Sequence, residues 1–241
     1  MNSHGESTMI LNSEPFQMNS KGLIILLLLF LAFASYSQEE DFQMWTELGI
    51  KKEINKDFSL SLNQEFRFNE NASTFDKWHS TFGLEYDITK YVRMRVMYRY
   101  SQNKDLEKGF EVAHRYLSDV ILRKKVKRFN LSYRLRYQMD YEKDFTGEAL
   151  YMDSQALRSR FMFKYNIRKN PLTPYTSYEF LYRLNNPYGN SIERNRITIG
   201  IDYNLTDNLS ANLYYRYQTS SGNDVRAKNY YITGIGMSYK F

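Results

Sequence analysis

The chain has 241 residues, with no cysteine, four prolines, three histidines, 22 tyrosines and 16 phenylalanines; its 33 Lys+Arg against 27 Asp+Glu give a formal charge of +6. The aromatic load excludes a disordered polar chain, the missing cysteines exclude a disulfide framework and any Cys-ligated metal, and three histidines leave little for a His-based metal centre. The basic balance permits nucleic-acid or anionic-membrane partners without choosing between them.

One run is strongly apolar: GLIILLLLFLAFA over 22–34, preceded by Lys21 and followed by Ser35 and Ser37. It is too short for a helical span, which needs about 20 apolar residues, and the charged start, apolar core and small-residue exit are those of a secretory signal peptide. Residues 1–37 are therefore expected to be an N-terminal extension and cleaved signal, with cleavage after Ala34 or Ser37. The start is expected at Met1 or at Met18, and the alternative to cleavage is an N-terminal anchor. Loss of Lys21, Glu6 and Glu14 would leave 38–241 with 32 basic and 25 acidic side chains, or +7. Export lowers the nucleic-acid reading.

From residue 42 onward apolar and polar side chains alternate, the two-residue period of a strand. In FSLSLNQEFRF, 58–68, Phe58, Leu60, Leu62, Phe66 and Phe68 share one face while Ser59, Ser61, Asn63, Glu65 and Arg67 share the other. Further strands are predicted near 42–51, 78–88, 91–101, 111–123, 129–140, 155–167, 172–183, 192–203, 209–218 and 229–241. Soluble strands average five to six residues, whereas a tilted transmembrane strand needs roughly 9 to 11, so these are of membrane length. Compact turns at 54–58, 88–91, 167–171 and 205–209 alternate with longer polar stretches near 69–77, 102–110, 141–154, 184–191 and 219–228. That is the expected layout of an outer-membrane barrel with short periplasmic turns.

The apolar phase carries aromatics at both strand ends and aliphatics between, as two girdles around an apolar band. Phe66, Trp78, Tyr98, Tyr100 and Tyr137 fall on the loop side, and Phe58, Tyr86, Phe129 and Tyr203 on the turn side. The last strand ends on Tyr239 and Phe241, similar to the signal read by the barrel assembly machinery. A soluble periplasmic barrel or sandwich would have shorter strands and no girdles. The fold expected is therefore all-β, a transmembrane antiparallel barrel of 10 to 12 strands spanning 38–241, monomeric, in the outer membrane of a Gram-negative bacterium. Eleven segments are counted although closed antiparallel barrels need an even number. Either a strand hides near 141–154 or the N-terminus, or segment 42–51 joins the sheet in an unusual way.

Trp45 in the first strand, the FSLSLNQEFRF strand and Glu179 within PYTSYEF give the mature chain a layout that resembles the uncharacterised outer-membrane barrels of Bacteroidete-type bacteria grouped as domain of unknown function 2490. The resemblance implies a barrel and a location, but no catalytic residues.

The opposite phase presents Arg67, Arg93, Arg95, Arg99, Arg115, Arg134, Arg136, Arg158, Arg160, Lys164, Arg183, Arg194, Arg196 and Arg216 against Glu65, Glu85, Asp87, Asp119, Asp140, Glu179 and Asp202. Even with every acid paired, some guanidiniums need another partner, and arginine suits bidentate contact with carboxylate or phosphate. Arg93, Arg95, Arg99, Arg134, Arg136, Arg158 and Arg160 are the anion-contact candidates, and Glu65, Glu85 and Glu179 the ion-pair candidates. Three readings stay open: a lumen filled by its own side chains (a structural or adhesion barrel), a narrow anion-favouring porin for small acidic solutes, and a lipid hydrolase. The last has weak support, since His114 and Ser118 lie four residues apart on one extended strand, about 13 Å. No catalytic residue, metal site or cofactor is assigned. The partners expected are outer-membrane lipid, the assembly machinery and small anions, with no nucleic acid.

Overall fold

The computed structural model describes residues 41–105, 109–143, 150–222 and 225–241; the expected signal peptide lies outside them. Eleven strands follow in chain order: β1 (Asp41–Glu53), β2 (Phe58–Asn69), β3 (Thr74–Asp87), β4 (Val92–Asp105), β5 (Gly109–Val126), β6 (Phe129–Lys143), β7 (Leu150–Tyr165), β8 (Leu172–Arg183), β9 (Ile192–Asn204), β10 (Leu209–Gly222) and β11 (Val225–Lys240). Each pairs with its sequence neighbour, and β1 closes on β11 to form a barrel.

That closure answers the parity problem. Ten neighbouring pairs are antiparallel, but β1 runs parallel to β11, from Asp41↔Tyr230 to Lys51↔Lys240. The sheet is thus antiparallel with one parallel seam, and an odd number of strands closes without a missing one. The C-terminal residue is tied into the seam, where the Phe241 N–H donates to the Lys51 carbonyl at 3.0 Å and the Glu53 N–H to the Phe241 carbonyl at 3.1 Å.

The compact turns form because their polar residues supply acceptors the backbone lacks. Asn55 Oδ1 takes the N–H groups of Asp57 and Phe58, Thr89 Oγ1 those of Tyr91 and Val92, and Thr206 Oγ1 those of Asn208 and Leu209. At the other end, three stretches expected as loops prove shorter. β4 continues to Asp105, β6 and β7 pair out to Lys143↔Leu150, and β10 and β11 out to Gly222↔Val225. The apolar alternation stops where the strands leave the apolar band, yet the ladder hydrogen bonds carry them further.

Burial is inverted relative to a soluble protein. Large apolar side chains such as Leu60, Phe82, Val96, Ile197 and Leu213 are exposed on the outer face, while the buried set holds more polar and charged residues than apolar ones. A predominantly apolar outer wall of this extent is suited to an apolar surrounding. With strands about 4.8 Å apart at a tilt of about 40°, eleven strands enclose a wall about 22 Å across, between the filled eight-stranded and channel-bearing sixteen-stranded cases.

Candidate functional site in the barrel lumen

The lumen phase of each strand carries the site. Register places Arg134, Arg160, Glu179 and Arg196 side by side across β6, β7, β8 and β9, with Arg136, Arg158, Leu181 and Arg194 forming the adjacent row. On β5, Ile121 and Asp119 extend the two rows by one position. This lattice of ten lumen positions thus holds six arginines and two carboxylates. Arg134 faces Arg160 and Arg136 faces Arg158 directly across the strands, an arrangement that costs stability unless something bridges the charges.

The two carboxylates do part of the bridging. Glu179 accepts from Arg134, Arg158 and Arg196, the last at 3.1 Å. Asp119 accepts from Arg136 Nε at 2.6 Å and Nη2 at 2.9 Å, and from Arg95 Nε at 3.0 Å. Both acids are deeply buried, at 6% and 1% exposure. Arg160 and Arg194 make no hydrogen bond or ion pair with the described residues, and the buried Nε atoms of Arg134, Arg158, Arg160 and Arg194 have no partner.

The other candidates separate by height. Arg93, near the turn side, is paired with Asp87 at 2.7 Å and Glu85 at 3.0 Å. Glu85 also holds Lys51, and Arg95 lies 3.6 Å from it. Toward the loop side, Glu65 accepts from Arg67 at 2.5 Å and lies 3.3 Å from His79 Nε2. Among the described residues Arg99 donates only to Thr81 Oγ1, at 2.8 Å. The seven arginines expected to contact anions therefore do not act alike: Arg93, Arg95, Arg134, Arg136 and Arg158 hold carboxylates, while Arg99 and Arg160 do not. Tyr239 and Phe241 touch edge-to-face with centroids 5.2 Å apart on the outer face.

Sequence reasoning missed Trp45 as a lumen residue. It is buried at 5% exposure; the Arg67 guanidinium sits 3.6 Å from its ring centroid, Arg216 at 5.1 Å and Arg196 at 5.9 Å. The signal was present in the phase, since Trp45 alternates with Met44, Leu48 and Ile50 and falls in step with Gln43, Glu47 and Lys51. Glycines on the lumen face seat two further aromatics: a Cβ on Gly234 would stand 2.0 Å from the Tyr214 ring, and one on Gly200 2.6 Å from the Tyr175 ring. The histidines are apart, His79 in the lumen by Glu65 and His114 on the outer face, where its Nδ1 meets the Tyr98 hydroxyl at 2.7 Å. No cluster of potential metal ligands is formed among the described residues.

None of the curated proteins compared with the chain matches it. Among solved structures, the NanC porin in a rhombohedral crystal form is similar in fold, with a TM-score of 0.50 and 13% identity over 83% of this chain and 99% of that one. The barrel is thus porin-like. The family model described as "Protein of unknown function (DUF2490)" matches residues 42–229, and the chain belongs to that family.

Proposed function

We propose that the protein is a narrow, anion-favouring passage in the outer membrane of a Gram-negative bacterium, exported by its N-terminal signal and inserted through its C-terminal strand. The observation that carries the reading is the lumen's surplus of guanidinium. Arg99, Arg160, Arg194 and Arg216 have no carboxylate partner among the described residues, and cationic rings of this kind favour anions in pores. The solutes would be small and acidic, and the protein would act as a monomer surrounded by lipid. An enzyme reading has less support, because the contacts of His79 and His114 run to Glu65 and Tyr98 and not to a serine. A sealed structural barrel is the second reading, favoured by the low exposure of Arg134, Arg136, Arg158 and Glu179 at mid-lumen.

Planar-bilayer recording tests the proposal. Stable current steps with a reversal potential on the anion side across a salt gradient are expected, and Arg99→Gln with Arg160→Gln should move that potential toward zero. Silence from protein shown by heat-shifted gel mobility to be folded would favour the sealed barrel.

A further inference from the structure

The two-row lattice has an internal logic that general anion preference does not require. Its six guanidiniums and two carboxylates leave a formal surplus of four positive charges. That surplus is in a low-exposure belt where Arg134, Arg158 and Arg196 are each under a tenth exposed. Glu179 sits inside this cluster as a single carboxylate shared by three arginines, in register with a fourth, Arg160. Three neighbouring arginines, Arg134, Arg158 and Arg160, each keep a buried Nε donor without a partner among the described residues. Buried donors in that state call for an acceptor, and a guanidinium edge matches the spacing of two oxyanion oxygens.

We infer that Arg134, Arg158 and Arg160 form a saturable site for a multiply charged oxyanion, and that Glu179 is its tethered competitor. The side-chain carboxylate holds the guanidiniums converged when no ligand is present, and the ligand's oxygens take the donor edges that Glu179 leaves. A singly charged anion would leave most of the surplus uncompensated, so ligands bearing two or more negative charges are preferred over chloride. The inference deepens the passage reading and rests on it for the route by which a ligand arrives. Binding itself can be measured without current.

Sulfate is a suitable probe, being divalent across the working pH range. Calorimetric titration of the refolded chain in detergent micelles, at constant ionic strength in chloride, should give one saturable site. Glu179→Gln should tighten it at least tenfold by freeing three guanidiniums. Arg160→Gln should weaken it at least tenfold while raising the melting temperature of the sulfate-free barrel, because it relieves the facing pair with Arg134; this variant keeps the test open if Glu179→Gln does not refold. Lys240→Gln, at the turn end beside Glu53, should leave the sulfate affinity unchanged. Absence of saturable sulfate binding in the folded wild type and in the folded variants, or equal effects from Arg160→Gln and Lys240→Gln, would overturn the site. Sulfate binding with silent bilayers would remove the passage and leave the site, whereas anion-selective current without sulfate binding would do the reverse.

Discussion

Asp119 offers the sharpest check on the lumen energetics. It is 1% exposed and holds Arg136 through two hydrogen bonds, at 2.6 and 2.9 Å, with Arg95 on its other side. Asp119→Asn keeps the shape and removes the charge, so the buried Arg136 loses its carboxylate partner, Arg95 is left with Glu85 at 3.6 Å, and the surplus in the lattice rises by one. Breaking a buried pair by removing one partner costs about 3–5 kcal/mol, far more than the pair contributes over an apolar replacement. For a chain of this size that corresponds to a fall of about 6–20 °C in melting temperature. The assay is the temperature at which the fast-migrating folded band converts to the unfolded one, read in parallel by loss of β-sheet circular dichroism. Adding Arg136→Gln should restore part of the loss, since the double variant no longer strands that cation. A melting temperature for Asp119→Asn within about 2 °C of wild type would refute the reasoning, because it would mean that lumen water screens the pair as it screens a surface one.

Other parts of the wall give further expectations. Gly234→Ala places a Cβ against the Tyr214 ring, 2.0 Å from its nearest carbon, and should abolish the folded band; Gly234→Ala with Tyr214→Ala should recover it. Lys127 holds φ at 53° in the two-residue connection of β5 to β6, a conformation glycine adopts without strain, so Lys127→Gly should stabilise by about 1 kcal/mol; a lowered melting temperature would contradict this. Val96 is 62% exposed on the outer face, and Val96→Arg should cost about 2–4 kcal/mol if that face meets the bilayer midplane. Equal refolding yields of wild type and Val96→Arg in lipid vesicles would count against that orientation.

The faces of the strands were legible in the sequence because the period of two is a local property. Every strand from β1 to β11 lies near a predicted segment, and the arginines named for the lumen share the lumen phase. Which side chains meet was not legible. Glu179 collects arginines 45, 21 and 17 residues away, and these contacts are fixed by register across four strands, to which alternation within one strand is blind. The division of Arg93, paired with Asp87 and Glu85, from Arg160, which makes no ion pair among the described residues, depends on the same registers. The longer polar stretches were read as loops for a related reason, since polar side chains on both faces mark the end of the apolar band and not the end of pairing.

The parallel seam binds these observations together. A parallel ladder is slightly weaker per residue than an antiparallel one, so β1 is the strand with most need of support beyond its backbone. Its lumen residues supply that support at three heights. Lys51 reaches Glu85 on β3, two strands away. Trp45 lies under Arg67 of β2 and also within cation–π reach of Arg216 on β10 and Arg196 on β9, which spans the seam from both sides. Lys240 of β11 pairs with Glu53 at 2.7 Å near the chain end. Arg196 is also a Glu179 ligand, so the indole that secures the first strand and the carboxylate that gathers the arginine lattice share one guanidinium. The aromatic in the polar phase of β1 therefore belongs to the closure of the barrel and to the charged belt of its lumen at once.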